Sequence, residues 1–137
     1  MNTWFVDANI FLRFFTVDDQ DQHRRAALLI SRASRGELRL VCGPPVLFEL
    51  SWTLRAAYKV SREKVLEVLS AIYSMPGLIM TDAHLVETAL TLTSTAGVEF
   101  PDAYIGASTV AAECDGVATF NRKDFARMNI ELADLES

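Results

Sequence analysis

The chain has 137 residues, about one domain's worth, and half of it is apolar, enough to bury a core without disulfide or metal staples. Thirteen Lys and Arg against eighteen Asp and Glu leave a net charge of −5. That balance speaks against a basic nucleic-acid-coating module and against a membrane-surface helix, since each needs a cationic face. It leaves room for an enzyme that handles nucleic acid through bound metal ions.

Cys42 and Cys114 lie in apolar segments without ligand-like spacing and are expected to be reduced core residues of a cytoplasmic protein. No apolar run approaches the ~18 residues of a membrane span. The opening MNTWFVDANIF lacks a basic region, and Asp7 interrupts its apolar stretch, so no signal peptide is expected.

In chain order, Thr3-Trp4-Phe5-Val6 is β-branched and aromatic and is expected as a buried strand ending at Asp7. A helix follows, with Ile10, Phe11, Phe14 and Phe15 on one side. A second helix is expected from about Asp21 to Arg35, with Ala27, Leu28 and Ala33 apolar among arginines. Leu38–Cys42 is a strand closed by Gly43-Pro44-Pro45, and proline in a first turn opens a helix to about Tyr58. Ser61 is a suitable N-cap for the next helix, which carries Val65, Leu66, Val68, Leu69 and Ile72. Met75-Pro76-Gly77 breaks it before the strand Leu78-Ile79-Met80. Thr81-Asp82 is expected to cap a helix ended by Gly97, and Phe100-Pro101-Asp102 opens another that runs to Glu113. Val117-Ala118-Thr119 is expected as a fourth strand and Ile130-Glu131-Leu132 as a last one. Strands alternating with helices imply one α/β domain over 1–137, a three-layer sandwich with a mostly parallel sheet of four or five short strands. Ligands of such sheets bind beyond the carboxyl ends of the strands.

Charge is unevenly placed. Ten of the thirteen basic residues lie between Arg13 and Lys64, whereas Val65 to Asn121 holds seven acids and no Lys or Arg. Four acids stand where solvated surface is not the first explanation. Asp7 follows a strand and precedes a helix, as a ligand or as an N-cap. Glu49 has almost wholly apolar neighbours in Val46-Leu47-Phe48-Glu49-Leu50-Ser51-Trp52. A buried carboxylate there requires a cation, a metal or a hydrogen-bond network, whereas at the edge of a buried helix it requires nothing. Asp102 lies in a first helical turn, where the helix dipole favours an anion, and the small residues after it suggest close packing against the sheet. Asp124 is a ligand or a turn acid beside Phe125. An oxygen-only set of this kind suits hard cations such as Mg²⁺ or Mn²⁺. His23 and His84 have no zinc-like spacing and are expected on solvated helix faces.

These segments resemble PIN-domain nucleases. Val6-Asp7-Ala8-Asn9-Ile10-Phe11-Leu12-Arg13 is similar to the family's opening D-x-N motif, and Pro44-Pro45-Val46-Leu47-Phe48-Glu49 to its second acidic helix. Phe100-Pro101-Asp102-Ala103-Tyr104-Ile105 resembles its third acidic element, and Ala118-Thr119-Phe120-Asn121-Arg122-Lys123-Asp124-Phe125 its closing T-x-N-x-x-D-F element. The order is the family's and spans nearly the whole chain, and the size is most similar to VapC-type toxins of toxin–antitoxin pairs. Asn121 departs from the pattern, because many members carry aspartate there; Asp124 then serves instead, or the site works with three carboxylates.

The resemblance implies metal-dependent hydrolysis of RNA phosphodiesters, leaving a 5′-phosphate and a 3′-hydroxyl. Asp7, Glu49 and Asp102 would hold Mg²⁺ or Mn²⁺ with Asp124 as a further catalytic acid, and Asn9, Arg13, Thr119 and Asn121 would support carboxylates or substrate. It also implies a cognate antitoxin bound in the grooves of the early helices. Phe48, Trp52, Leu54 and Tyr58 are candidates for that surface or for a homodimer interface, as well as for the core. Other readings are a housekeeping RNA-processing nuclease, an inert binding module suggested by Asn121, and a receiver- or phosphatase-type phosphotransfer domain. The last is weakened because Asn9 stands where such phosphatases carry a second carboxylate.

Overall fold

A computed structural model describes residues 1–136, among which there are three strands and seven helices: β1 Thr3–Phe5, α1 Ala8–Phe15, α2 Gln20–Ser34, β2 Arg39–Cys42, α3 Pro44–Ala56, α4 Arg62–Tyr73, β3 Leu78–Met80, α5 Ala83–Ala96, α6 Phe100–Ala111 and α7 Arg122–Arg127. The protein is of the expected α/β class. Its chain forms two compact units, Met1–Ala83 and a second that begins at His84.

The first unit holds the sheet, with strands in the order β1-β2-β3 and parallel throughout. Thr3 pairs with Arg39 and Leu40 with Leu78, so each strand lies beside its successor in sequence. Parallel neighbours need a crossover, supplied here by α1–α2 and then by α3–α4. Gly77, at φ +81°, turns the chain into β3 where a side chain would run into the backbone of Ala33. The core is built from Val6, Phe11, Leu40, Cys42, Leu47, Leu50, Leu54, Leu69 and Ile72, all buried.

β1 does not read as expected. It is a three-residue edge strand hydrogen-bonded on one side only, and Trp4 and Phe5 are 52% and 62% exposed. Only Val6, beyond its end, is buried. In α2 the buried face is Ala26, Ile30 and Ala33, with i, i+4, i+7 spacing; Leu28 falls off that stripe and is exposed. Leu54 is buried, which removes it from any surface role, whereas Trp52 is exposed.

In the second unit, Val86, Ala89, Phe100, Ala103, Ala107, Phe125 and Met128 are buried. α5 starts at Ala83 and follows Asp82, which adopts φ +50°. The small residues of α6 allow close packing on the segment that ends and follows α7: a side chain at Gly106 would strike Met128 and Ile130. The two late strands are reduced to one parallel bridge, Val117 with Leu132. Val117 donates to the carbonyl of Glu131 and Ala133 donates to that of Val117. Pairing stops there because Thr119 turns its hydroxyl to accept from the backbone N–H of Asn121, closing a local turn. The sheet therefore has three strands rather than four or five. Cys42 is a buried free thiol, pushed up to about 11 by burial; Cys114 is also free but exposed, not a core residue.

Candidate functional site

In the first unit Asp7 is exposed at the start of α1, and a carboxylate oxygen accepts from the Ala8 N–H at 2.8 Å. It thus satisfies an amide that the helix itself leaves open. Asn9 is exposed two residues further on. Arg13, at the far end of α1, is half-buried and held from three sides. Its Nε donates to Gln22 Oε1 at 2.7 Å and its Nη1 to Asp18 Oδ1 at 3.1 Å and Tyr58 Oη at 3.4 Å. Tyr58 in turn donates to Asp18 Oδ2 at 2.7 Å. The Tyr58 hydroxyl, the Thr16 hydroxyl and the Arg13 charge hold the Asp18 carboxyl below the usual range. Sequence gave no sign of this network, because Tyr58 and Asp18 are 40 residues apart and each is unremarkable in its own segment.

Glu49 is exposed on α3. The buried face of that helix is Val46, Leu47, Leu50, Ser51 and Leu54, and Glu49 projects on the other side with Trp52. A carboxylate in water needs no compensating partner, so the expectation based on burial does not hold. His23 is corrected in the opposite sense. It is half-buried, its Nδ1 lies 2.9 Å from the Arg13 carbonyl, and its ring stacks on Phe14. His84 is exposed, as expected.

The second unit brings three of the expected residues together. Asp102 stands in the first turn of α6, set there by Pro101 at the start of the helix. Asn121 precedes α7, and its side chain caps nothing. Its amide Nδ2 instead donates to Asp124 Oδ2 at 3.0 Å and to Asp102 Oδ2 at 3.4 Å. One neutral amide thus links two carboxylates from different helices. Burial pushes the Asp102 carboxyl above its ordinary value, and the charges of Asp124 and Glu99 push it the same way. Arg127 lies 4.0 Å from Asp124. Thr119 belongs to the same group through the turn at Asn121, and Arg122 braces that turn by donating to the carbonyls of Thr119 and Ala133. The sequence named Asn121 as a support; that it donates to two acids at once is a product of the tertiary fold.

The sequence profile of the PIN domain family matches residues 4–131. The chain belongs to the PIN domain family. A comparison with curated proteins returns no match. PIN domains are in general nucleases, which makes nuclease-type hydrolysis the activity to test here, and they generally use divalent metals such as Mg²⁺. Asp102 and Asp124 are hard oxygen donors of the kind such an ion takes, whereas Asn121 turns its Nδ2 toward them. Among the described residues, no group of three or more His, Cys, Asp or Glu is gathered closely enough to hold a metal by itself. No described helix is long and apolar enough to cross a membrane.

Proposed function

We propose that this PIN domain is a Mg²⁺- or Mn²⁺-dependent endoribonuclease, the toxin of a toxin–antitoxin pair, working as a cytoplasmic homodimer and silenced by a cognate antitoxin. The two compact units act as one domain in this reading, which is supported by a family match that runs through both. The observation that carries the nuclease reading is the Asp102–Asn121–Asp124 group, two carboxylates kept close at the expense of a raised Asp102 pKa. A carboxyl raised by burial and by neighbouring acids is characteristic of functional sites.

Asp7, Glu49 and Asp102 are the metal-holding acids, with Asp124 as a further catalytic acid. A bound divalent ion supplies Lewis acidity and charge neutralisation at the scissile phosphate. Asn121 fixes the rotamers of Asp102 and Asp124, and Thr119 fixes the backbone of Asn121. Asn9 and Arg13 support substrate on the side of Asp7. The toxin assignment is supported by the motif order and the VapC resemblance, the cytoplasmic one by two free cysteines. Exposed Trp52 on α3 is the anchor for a homodimer or antitoxin contact.

The test is cleavage of single-stranded RNA with Mg²⁺ or Mn²⁺ by the purified chain and by Asp7→Asn and Asp102→Asn. Each substitution is expected to lower the rate at least about 100-fold while the protein stays folded. Unchanged cleavage by both folded variants rejects the assignment. The second reading, an inert PIN-like module, is favoured by Asn121, which already satisfies both carboxylates without an ion. Calorimetric Mg²⁺ titration separates the two: heat of binding with turnover supports the nuclease, and neither supports the inert module.

A further inference from the structure

Between α1 and α2 lies a cleft of about 420 Å³ lined by Asn9, Ile10, Arg13, Gln22, Arg25 and Ala26. Two guanidinium groups and two primary amides face it, and none of the lining residues is a carboxylate, in a chain whose net charge is −5. We propose that this cleft receives a backbone phosphate of the RNA strand, next to the one that is cut, with Arg25 as its principal contact. The proposal rests on the nuclease reading and adds to it the place where the strand is gripped.

The two arginines are prepared differently. Arg13 is oriented by Gln22, Asp18 and Tyr58, and part of its charge is already answered by Asp18. Among the described residues Arg25 is held only by Asp21, at 3.0 Å, and both side chains are well exposed, at 64% and 61%. An exposed pair of this kind is weakly held, so a phosphate can replace it. Asp21 is not left alone when Arg25 turns away, because Arg24 Nη2 lies 2.9 Å from its other oxygen. A guanidinium offers a planar fork that fits two phosphate oxygens. Gln22 and Asn9 add amide donors, and Ile10 and Ala26 give an apolar floor on which a ribose can lie.

Position favours a nucleic-acid strand over a free anion. The cleft opens beside Asn9, two residues past Asp7, and extends to Arg13, six residues along α1, which at 1.5 Å per residue is about 9 Å. A strand cut beside Asp7 would lay a neighbouring phosphate within that span.

The experiment is equilibrium binding of a fluorescein-labelled single-stranded RNA oligonucleotide to the full chain in EDTA, across a range of salt concentrations, with circular dichroism and melting to verify folding. Arg25→Gln is expected to weaken binding about fivefold at low salt and to flatten the log–log salt dependence by about 0.7, the value of one single-strand phosphate contact. Arg25→Lys restores the slope, and Lys64→Gln, an exposed change on α4, leaves both quantities alone. With Mg²⁺ present, Arg25→Gln raises KM and leaves kcat within about twofold. A wild-type slope in folded Arg25→Gln overturns the proposal, as does an Arg25 dependence seen with a polyglutamate peptide and not with RNA, which would make the cleft a protein-docking site. The nuclease reading fails by a different result, cleavage that survives Asp7→Asn and Asp102→Asn. Absence of any RNA binding by the wild-type chain in EDTA rejects the cleft proposal alone, because the nuclease reading is judged by metal-dependent cleavage.

Discussion

The two units of this chain treat charge in opposite ways. In the first, arginines and acids are paired off on the surface: Arg13 with Asp18, Arg24 and Arg25 with Asp21, Arg32 and Arg35 with Glu37. These pairs follow helix spacing or join neighbouring turns, and they serve solubility and local order. In the second, the stretch before Arg122 contains no Lys or Arg, and Asp102 and Asp124 are drawn together through the amide of Asn121. Burial and like charge then push the Asp102 carboxyl up. Paired charge is the ordinary condition of a protein surface, whereas the Asp102–Asp124 group has only Arg127, 4.0 Å from Asp124, as a cationic partner among the described residues, and it is the group on which the proposed cation site rests.

The largest expected effect tests whether the first unit is the stable scaffold. Phe11 is fully buried, and Phe11→Ala is expected to cost about 3–5 kcal/mol in denaturant unfolding, enough to unfold much of the protein. Next comes the acid group itself. Asp102→Asn is expected to abolish metal-dependent RNA cleavage and yet to raise the melting temperature slightly, by about 2 °C near neutral pH, the span of a modest surface substitution. The sign follows from the raised carboxyl. A group that binds its proton more tightly in the folded state contributes stability at low pH and loses that contribution as pH rises through its folded pKa. The gain from Asp102→Asn should therefore disappear in acid, where Asp102 is protonated. A neutral-pH loss of stability would show that the carboxylate is compensated after all.

Asn121→Asp sharpens the same point. It places a third carboxylate against Asp102 and Asp124 and removes the donor that joins them. Without metal the variant should be less stable, by about 1 kcal/mol of unfolding free energy, and added Mg²⁺ should raise its melting temperature more than it raises that of the parent. Equal Mg²⁺ responses would argue against a cation site at this group. The smallest effect is expected at Phe120, which is 93% exposed. Phe120→Ser should change unfolding free energy by less than about 0.5 kcal/mol in either direction.

Much of the fold was legible in the sequence because local signals agreed with the final packing. Ser61 accepts from the Lys64 N–H at 3.1 Å as its capping pattern implied, and β3 occupies Leu78–Met80 as read from three apolar residues after Pro76-Gly77. Pro44-Pro45 and Pro101 open their helices. Misreadings arose where a residue's environment depends on what lies across from it. Trp4 and Phe5 have the composition of a buried strand but sit on a sheet edge, and Glu49 has apolar neighbours in sequence but projects from the far side of α3. Composition counts neighbours along the chain; burial counts neighbours in space.

The sequence by itself determined the α/β alternation, the helix starts and the order of the family's acidic motifs, because caps, prolines and apolar periodicity act over a few residues. Tertiary structure alone decided that Asn121 would link Asp102 to Asp124, that Tyr58 and Gln22 would fix Arg13, and that Val117 and Leu132 would form a bridge instead of a strand pair. Each of these joins groups far apart in the chain or depends on one turn's geometry, and no local pattern encodes the direction in which a side chain will find its partner.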